Sequence, residues 1–148
     1  MSKLEDDLLQ YDKNTDLQIK TIEYDPNGNP NSRVAEERAE REDLSVVYPK
    51  PNELFVDIDN EHSYQLFIKQ MDIMRKYVGA TAMSVSPSKS GLPKRHIIVT
   101  LTKNVTEIER VALQAMIGSD RVRELLGYIQ AKNNDPHPTL FLEKRQCV

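Results

Sequence analysis

The chain has 148 residues and a mass of 17.0 kDa, with 39% hydrophobic and 29% charged residues and a net charge of −3. That length allows one compact domain plus a tail and excludes two ordinary domains. Apolar runs of only a few residues exclude a transmembrane helix; the acidic start Met1 to Asp7 is no secretory signal, and the single Cys147 cannot form an internal disulfide or a cysteine metal site.

These features predict a soluble, cytoplasmic protein. Charge is uneven: residues 1–50 carry 7 Lys and Arg against 12 Asp and Glu, while residues 51–148 carry 13 against 11. Residues 1–49 therefore read as an acidic N-terminal arm, flexible or helical. Within it, Leu4, Leu8 and Leu9 form a small apolar stripe, Leu17, Ile19, Ile22 and Tyr24 suit a short strand, and Tyr24 to Pro30 is rich in turn formers. Val34 to Asp43, with Glu37 and Arg41 at i,i+4 spacing, predicts a solvated helix.

The folded domain is expected over residues 50–148. Leu54 to Asp59 reads as its first strand. Asn60 caps a helix whose apolar positions Tyr64, Phe67, Ile68, Met71, Met74 and Val78 recur every three or four residues until Gly79. Ala82 to Ser86 is a second strand, Ser86 to Pro93 a polar connection, and Lys94 to Thr102 a third, β-branched strand. Thr106 and Glu109 make a capping box for the next helix, Ser119 caps another, and Thr139 to Glu143 is the last strand. The order βαββαβ predicts an α+β domain with a ferredoxin-like, RRM-like sheet, strand order 4-1-3-2, and helices on one face.

Alternation then locates candidate chemistry. Leu54, Val56 and Ile58 share the core face, leaving Asp57 and Asp59 on the open face at the end of the first strand. The third strand runs back beside it and starts near His96. Two like charges at i,i+2 on an apolar strand repel, and a bound Mg²⁺ or Mn²⁺ is the usual way to offset that. The loop Ser88 to Arg95 brings hydroxyls (Ser88, Ser90), backbone amides around Gly91, and the charges of Lys94 and Arg95, all suited to phosphate oxygens. Asp135, His137 and Thr139 are expected at the same edge. With Leu140 and Leu142 buried, Glu143 falls at the far end of the sheet.

At these residues the sequence resembles the archaeo-eukaryotic primase superfamily, the primase–polymerase group of phages and plasmids. Phe55-Val56-Asp57-Ile58-Asp59 is similar to its first motif, and Ser90-Gly91-Leu92-Pro93-Lys94-Arg95-His96 to its second. The resemblance covers roughly residues 50–145 and implies an RRM-like core. It also implies that Asp57 and Asp59 hold metal ions while His96, with Ser90 and Lys94, binds nucleotide phosphates. A third acidic ligand is implied, open between Asp135 and Glu143. The implied activity is metal-dependent nucleotidyl transfer in phage or plasmid DNA replication, on a nucleoside triphosphate and a single-stranded DNA template. Because residues 51–148 are only weakly basic, a replication-protein partner is expected. Two alternatives stay open: a non-catalytic nucleic-acid or protein adaptor on the same fold, and a metal-dependent nuclease.

Overall fold

A computed structural model describes residues 31–145, which form four helices and five strands arranged as two antiparallel sheets. In chain order these are α1 (Asn31–Glu42), β1 (Leu44–Val47), β2 (Glu53–Ile58), α2 (Glu61–Tyr77), β3 (Ala80–Pro87), β4 (Arg95–Leu101), α3 (Glu107–Met116), α4 (Arg121–Lys132) and β5 (Phe141–Lys144). The expected stripe at Leu4, Leu8 and Leu9, the strand through Leu17 to Tyr24 and the turn that follows lie outside the described residues.

The local signals act as their chemistry dictates. Asn60 Oδ1 accepts from the Ser63 amide at 2.8 Å, and Thr106 with Glu109 closes a reciprocal capping box. Gly79 turns the chain from α2 into β3 at φ +77°, and a Cβ there would lie 2.3 Å from Thr102 Oγ1, so the turn requires glycine. The core forms between one sheet face and the helices. Leu54, Val56, Ile58, Ile97, Val99 and Leu101 meet Phe67, Met71, Met74 and Ile117, and most of these side chains are fully buried. Ile68, expected in this stripe, is 40% exposed on the helix flank.

The main sheet has the order β2-β4-β3, with β4 central and antiparallel to both neighbours. The expected fourth position, beside β2, is not taken by β5. That strand pairs instead with β1, in the register Leu44 with Lys144 and Val47 with Phe141. Residues 44–47, N-terminal to the expected boundary at 50, thus belong to a sheet. Ala35 and Ala39 of α1 and Leu44 of β1 are buried with them.

The outer edge of β2 is already satisfied, which explains why β5 does not join it. The Phe55 amide donates to Gln114 Oε1 at 2.7 Å, and Arg123 Nη1 donates to the Phe55 carbonyl at 2.6 Å. The Asp57 amide donates to Ser119 Oγ at 2.9 Å, and the Asp120 amide donates to the Asp57 carbonyl at 2.8 Å. Arg110 Nε donates to the Glu53 carbonyl at 2.8 Å. Side chains of α3, α4 and Ser119, with the backbone amide of Asp120, supply the bonds a fourth strand would have made.

This arrangement corrects the expectation of an open sheet face. Phe141 of β5 lies on that face, stacked on Phe55 at 4.5 Å between ring centroids and on His96 at 4.0 Å. Phe141 and Glu143 point to the main sheet, whereas Leu140 and Leu142 were expected to be the buried residues of this strand. A one-residue slip exchanges the two faces of a strand.

Candidate functional site

Three carboxylates meet at the end of β2. Asp57 leaves the strand on the face opposite Val56 and Ile58, and Asp59 follows just beyond it, exposed, before the Asn60 cap. Asp120 arrives because residues 119 and 120 are bonded to both backbone groups of Asp57. Asp120 also caps α4, its Oδ1 accepting from the Val122 amide at 3.2 Å. One oxygen from each of Asp57, Asp59 and Asp120 lies within 4.8 Å of the others. Partial desolvation pushes the Asp59 carboxyl above the ordinary range although the residue is exposed, and the neighbouring Asp120 and Asp57 push it the same way, while Lys94 acts against them.

An all-carboxylate donor set suits a hard divalent cation such as Mg²⁺ or Mn²⁺. Adjacent oxygen ligands of Mg²⁺ stand about 3 Å apart and opposite ones about 4.2 Å, so these three would close in on one another to share one ion. The third acidic group beside the pair is Asp120, not Asp135 or Glu143. Asp135 is buried in the turn after α4, where its Oδ1 accepts from the His137 amide at 2.9 Å.

Glu143 sits beside His96, to which it is bonded, rather than at the far end of the sheet. That histidine lies opposite Asp57 in the β2–β4 register. Its Nδ1 is 2.6 Å from Glu143 Oε1, and its Nε2 is 3.8 Å from Asp57 Oδ1. An ionised carboxylate only accepts, so the ring donates from Nδ1 and turns Nε2 toward Asp57. Stacking on Phe141 fixes the ring plane, leaving the imidazole oriented on two nitrogens and one face.

The loop before β4 is less available to phosphate than its composition implies. The Ser88 amide donates to the Lys94 carbonyl, the Gly91 amide to the Ser88 carbonyl, the Lys94 amide to the Gly91 carbonyl, and the Ser90 amide to Ser88 Oγ. The amides expected to face phosphate oxygens thus close the loop on itself. Ser88 is buried, whereas Ser90 and Lys94 are exposed. Arg95 points to the helix side of the sheet, 3.9 Å over the Tyr64 ring and 3.0 Å from Glu61 Oε2. It does not share a face with Asp57 and His96. Glu61 is held low chiefly by its hydrogen bond with Gln65 and also by that with Arg95.

Sequence reasoning missed Asp120 as a neighbour of the pair and Ser119 and Arg123 as partners of the β2 backbone, and it put Glu143, an open candidate for the third ligand, at the far end of the sheet. Gly118-Ser119-Asp120 did carry a signal, since two consecutive capping residues follow a helix-ending glycine and only one can cap α4. Asp120 caps; Ser119, 3% exposed, binds β2. Beside the carboxylates lies a cleft of about 650 Å³, lined by Asp59, His62, Leu66, Gln70, Met116 and Asp120 among others.

Among the described residues no helix is long and apolar enough to cross a membrane. Comparison with protein-family models, curated proteins and solved structures finds no match to this chain.

Proposed function

We propose that this chain is a divalent-metal-dependent nucleotidyltransferase of the primase–polymerase type, working in the cytoplasm with other proteins of phage or plasmid DNA replication. The observation that carries the reading is the meeting of Asp57, Asp59 and Asp120 beside an oriented His96. The Asp-x-Asp strand and the Ser90 to His96 segment support the likeness to archaeo-eukaryotic primases. The α+β architecture with β2-β4-β3 order is compatible with three strands of an RRM-like sheet. Asp57, Asp59 and Asp120 would hold Mg²⁺ or Mn²⁺, which would neutralise triphosphate charge. Ser90 and Lys94 would contact phosphate oxygens, and the neighbouring cleft would receive the rest of a nucleotide. In the reaction a primer 3′-hydroxyl bonds to the α-phosphorus and pyrophosphate leaves. His96 Nε2 would take the hydroxyl proton, while Glu143 would hold the ring.

Calorimetric titration of Mn²⁺ in the presence of a nucleoside triphosphate tests this. Triphosphate binding that needs the metal and is lost in Asp57→Ala/Asp59→Ala is expected. Binding that survives both chelation and that double substitution would overturn the reading.

One observation favours the adaptor alternative. The loop amides are used within the loop, and Arg95 is taken up by Tyr64 and Glu61, which reduces the groups left to grip a triphosphate. An adaptor would hold single-stranded nucleic acid in the presence of a chelator and lose it in Lys89→Glu/Lys94→Glu. Its contact surface would not be the β2–β4 part of the sheet, which β5 covers.

A further inference from the structure

The two edges of the main sheet are treated in opposite ways. On β2 every outward backbone group of Phe55 and Asp57 meets a partner from α3, α4 or their connecting turn. On β3, among the described residues, nothing lies beyond the strand. Register shows which groups that leaves. The Phe55 and Asp57 backbones face away from β4, so their opposite numbers Ile98 and His96 turn toward β3 and bond the strand at Ser84 and Ser86. The N–H and C=O of Met83 and Val85 therefore face outward.

An exposed edge is normally blunted by charge, by an interior proline, by shortness or by a bulge. β3 is eight residues long, runs Ala80-Thr81-Ala82-Met83-Ser84-Val85-Ser86-Pro87 without a charge, and is exposed from Thr81 onward. Its irregularity lies at Ala80/Ala82 and its proline at the last position, so the central stretch is straight and bare. Met83 and Val85 are 37% and 39% exposed on the same face.

We propose that β3 is a self-association edge, at which two copies of this chain pair antiparallel about a two-fold axis through Ser84. The sequence of the strand selects a second copy as the occupant. With no charge present, an identical strand meets no like-charge repulsion. Centring on Ser84 sets the outward groups of Met83 against those of the mate's Val85, and the reverse, so all four backbone groups on each copy are bonded. The same register places Met83 and Val85 side chains in cross-strand contact twice, which is the isologous pattern of a closed dimer. Each three-stranded sheet becomes half of a continuous sheet of six.

The test is mass in solution by light scattering after gel filtration, over a wide concentration series of the full chain. A mass that rises to twice the monomer is expected. Val85→Pro removes one outward N–H and leaves the bonds to β4 intact, so it should remain folded by circular dichroism and run as a monomer. Ser84→Cys, in a Cys147→Ser background, should oxidise to a covalent dimer. Facing residues at a non-hydrogen-bonded position are about 4.5 Å apart between Cα atoms, within disulfide reach. A mass that stays monomeric throughout, or a dimer that persists in Val85→Pro while Ser84→Cys fails to cross-link, would overturn the proposal.

Discussion

Asp59 shows how a single carboxyl reports on the site. Its folded-state affinity for a proton is raised by partial desolvation and by Asp120 and Asp57. A group of this kind binds its proton more readily folded than unfolded. The stability it lends is therefore present at low pH and is lost as pH climbs from the unfolded carboxyl value through the raised folded one. Asp59→Asn abolishes that loss, so in chelator at neutral pH the variant is expected to melt at or above the wild-type temperature. Saturating Mn²⁺ should reverse the ranking, because a ligand at 100 times its Kd adds about 2.7 kcal/mol to the protein that binds it. Thermal scans with and without metal make the comparison; a variant less stable in chelator would contradict the sign. His96 is the second residue to test. Glu143→Ala releases the ring at Nδ1 and should weaken metal-dependent triphosphate binding on the order of tenfold, with Glu143→Gln closer to wild type. Nitrogen NMR of His96 reads the orientation directly and requires no ligand.

At the scale of elements, the edge of β2 carries a distinct prediction. Gln114 is fully buried, bonding the Phe55 amide through Oε1 and the Glu124 carboxylate through Nε2 at 2.8 Å. Gln114→Leu leaves a buried donor and a buried carboxylate short of partners, which costs about 1–3 kcal/mol. Urea unfolding should show the lower midpoint with an unchanged slope. Burial raises Glu124 above the usual carboxylate range even beside Arg123, so losing a donor there is felt by a group already short of solvation. These dependencies also mark what the sequence could reveal. β2, α2, β4 and α3 were legible because alternation, helical period and caps are local properties of a few neighbouring residues. The partner of β5 was not legible: β1 has only four residues, directly after a charged helix, and its pairing spans about a hundred positions of chain. Asp57, Asp59 and His96 lie near one another because strand register alone places them. Asp120 and Glu143 depend on which of two caps is used and on a one-residue phase; the local pattern offers the two caps without choosing between them and does not fix the phase.

For the molecule as a whole, the segment from α1 to Tyr48 is tied to the C-terminal part of the chain, through the β1–β5 pairing and through contacts on either side of β5. Arg145 Nε donates to the Leu44 carbonyl at 3.1 Å, Tyr48 lies 4.5 Å from the His137 ring, and the Tyr48 hydroxyl donates to Glu36 at 2.9 Å. Desolvation and that glutamate push the Tyr48 hydroxyl up to about 12. Residues 31–48 are thus not a removable appendage. Leu44→Ala is expected to cost about 2–3 kcal/mol. A chain shortened to residues 50–148 should melt lower still and lose the fixed orientation of His96, since β5 then has nothing to pair with; calorimetry and the same nitrogen spectrum decide both points. The plugged rim of β2 has a further bearing on how this protein could behave when crowded. Strand-by-strand growth needs two receptive borders, one to accept and one to offer, as in a chain of links. Among the described residues the main sheet has a single receptive border, so a union there consumes it on both copies, and growth through that sheet stops at a finite pair.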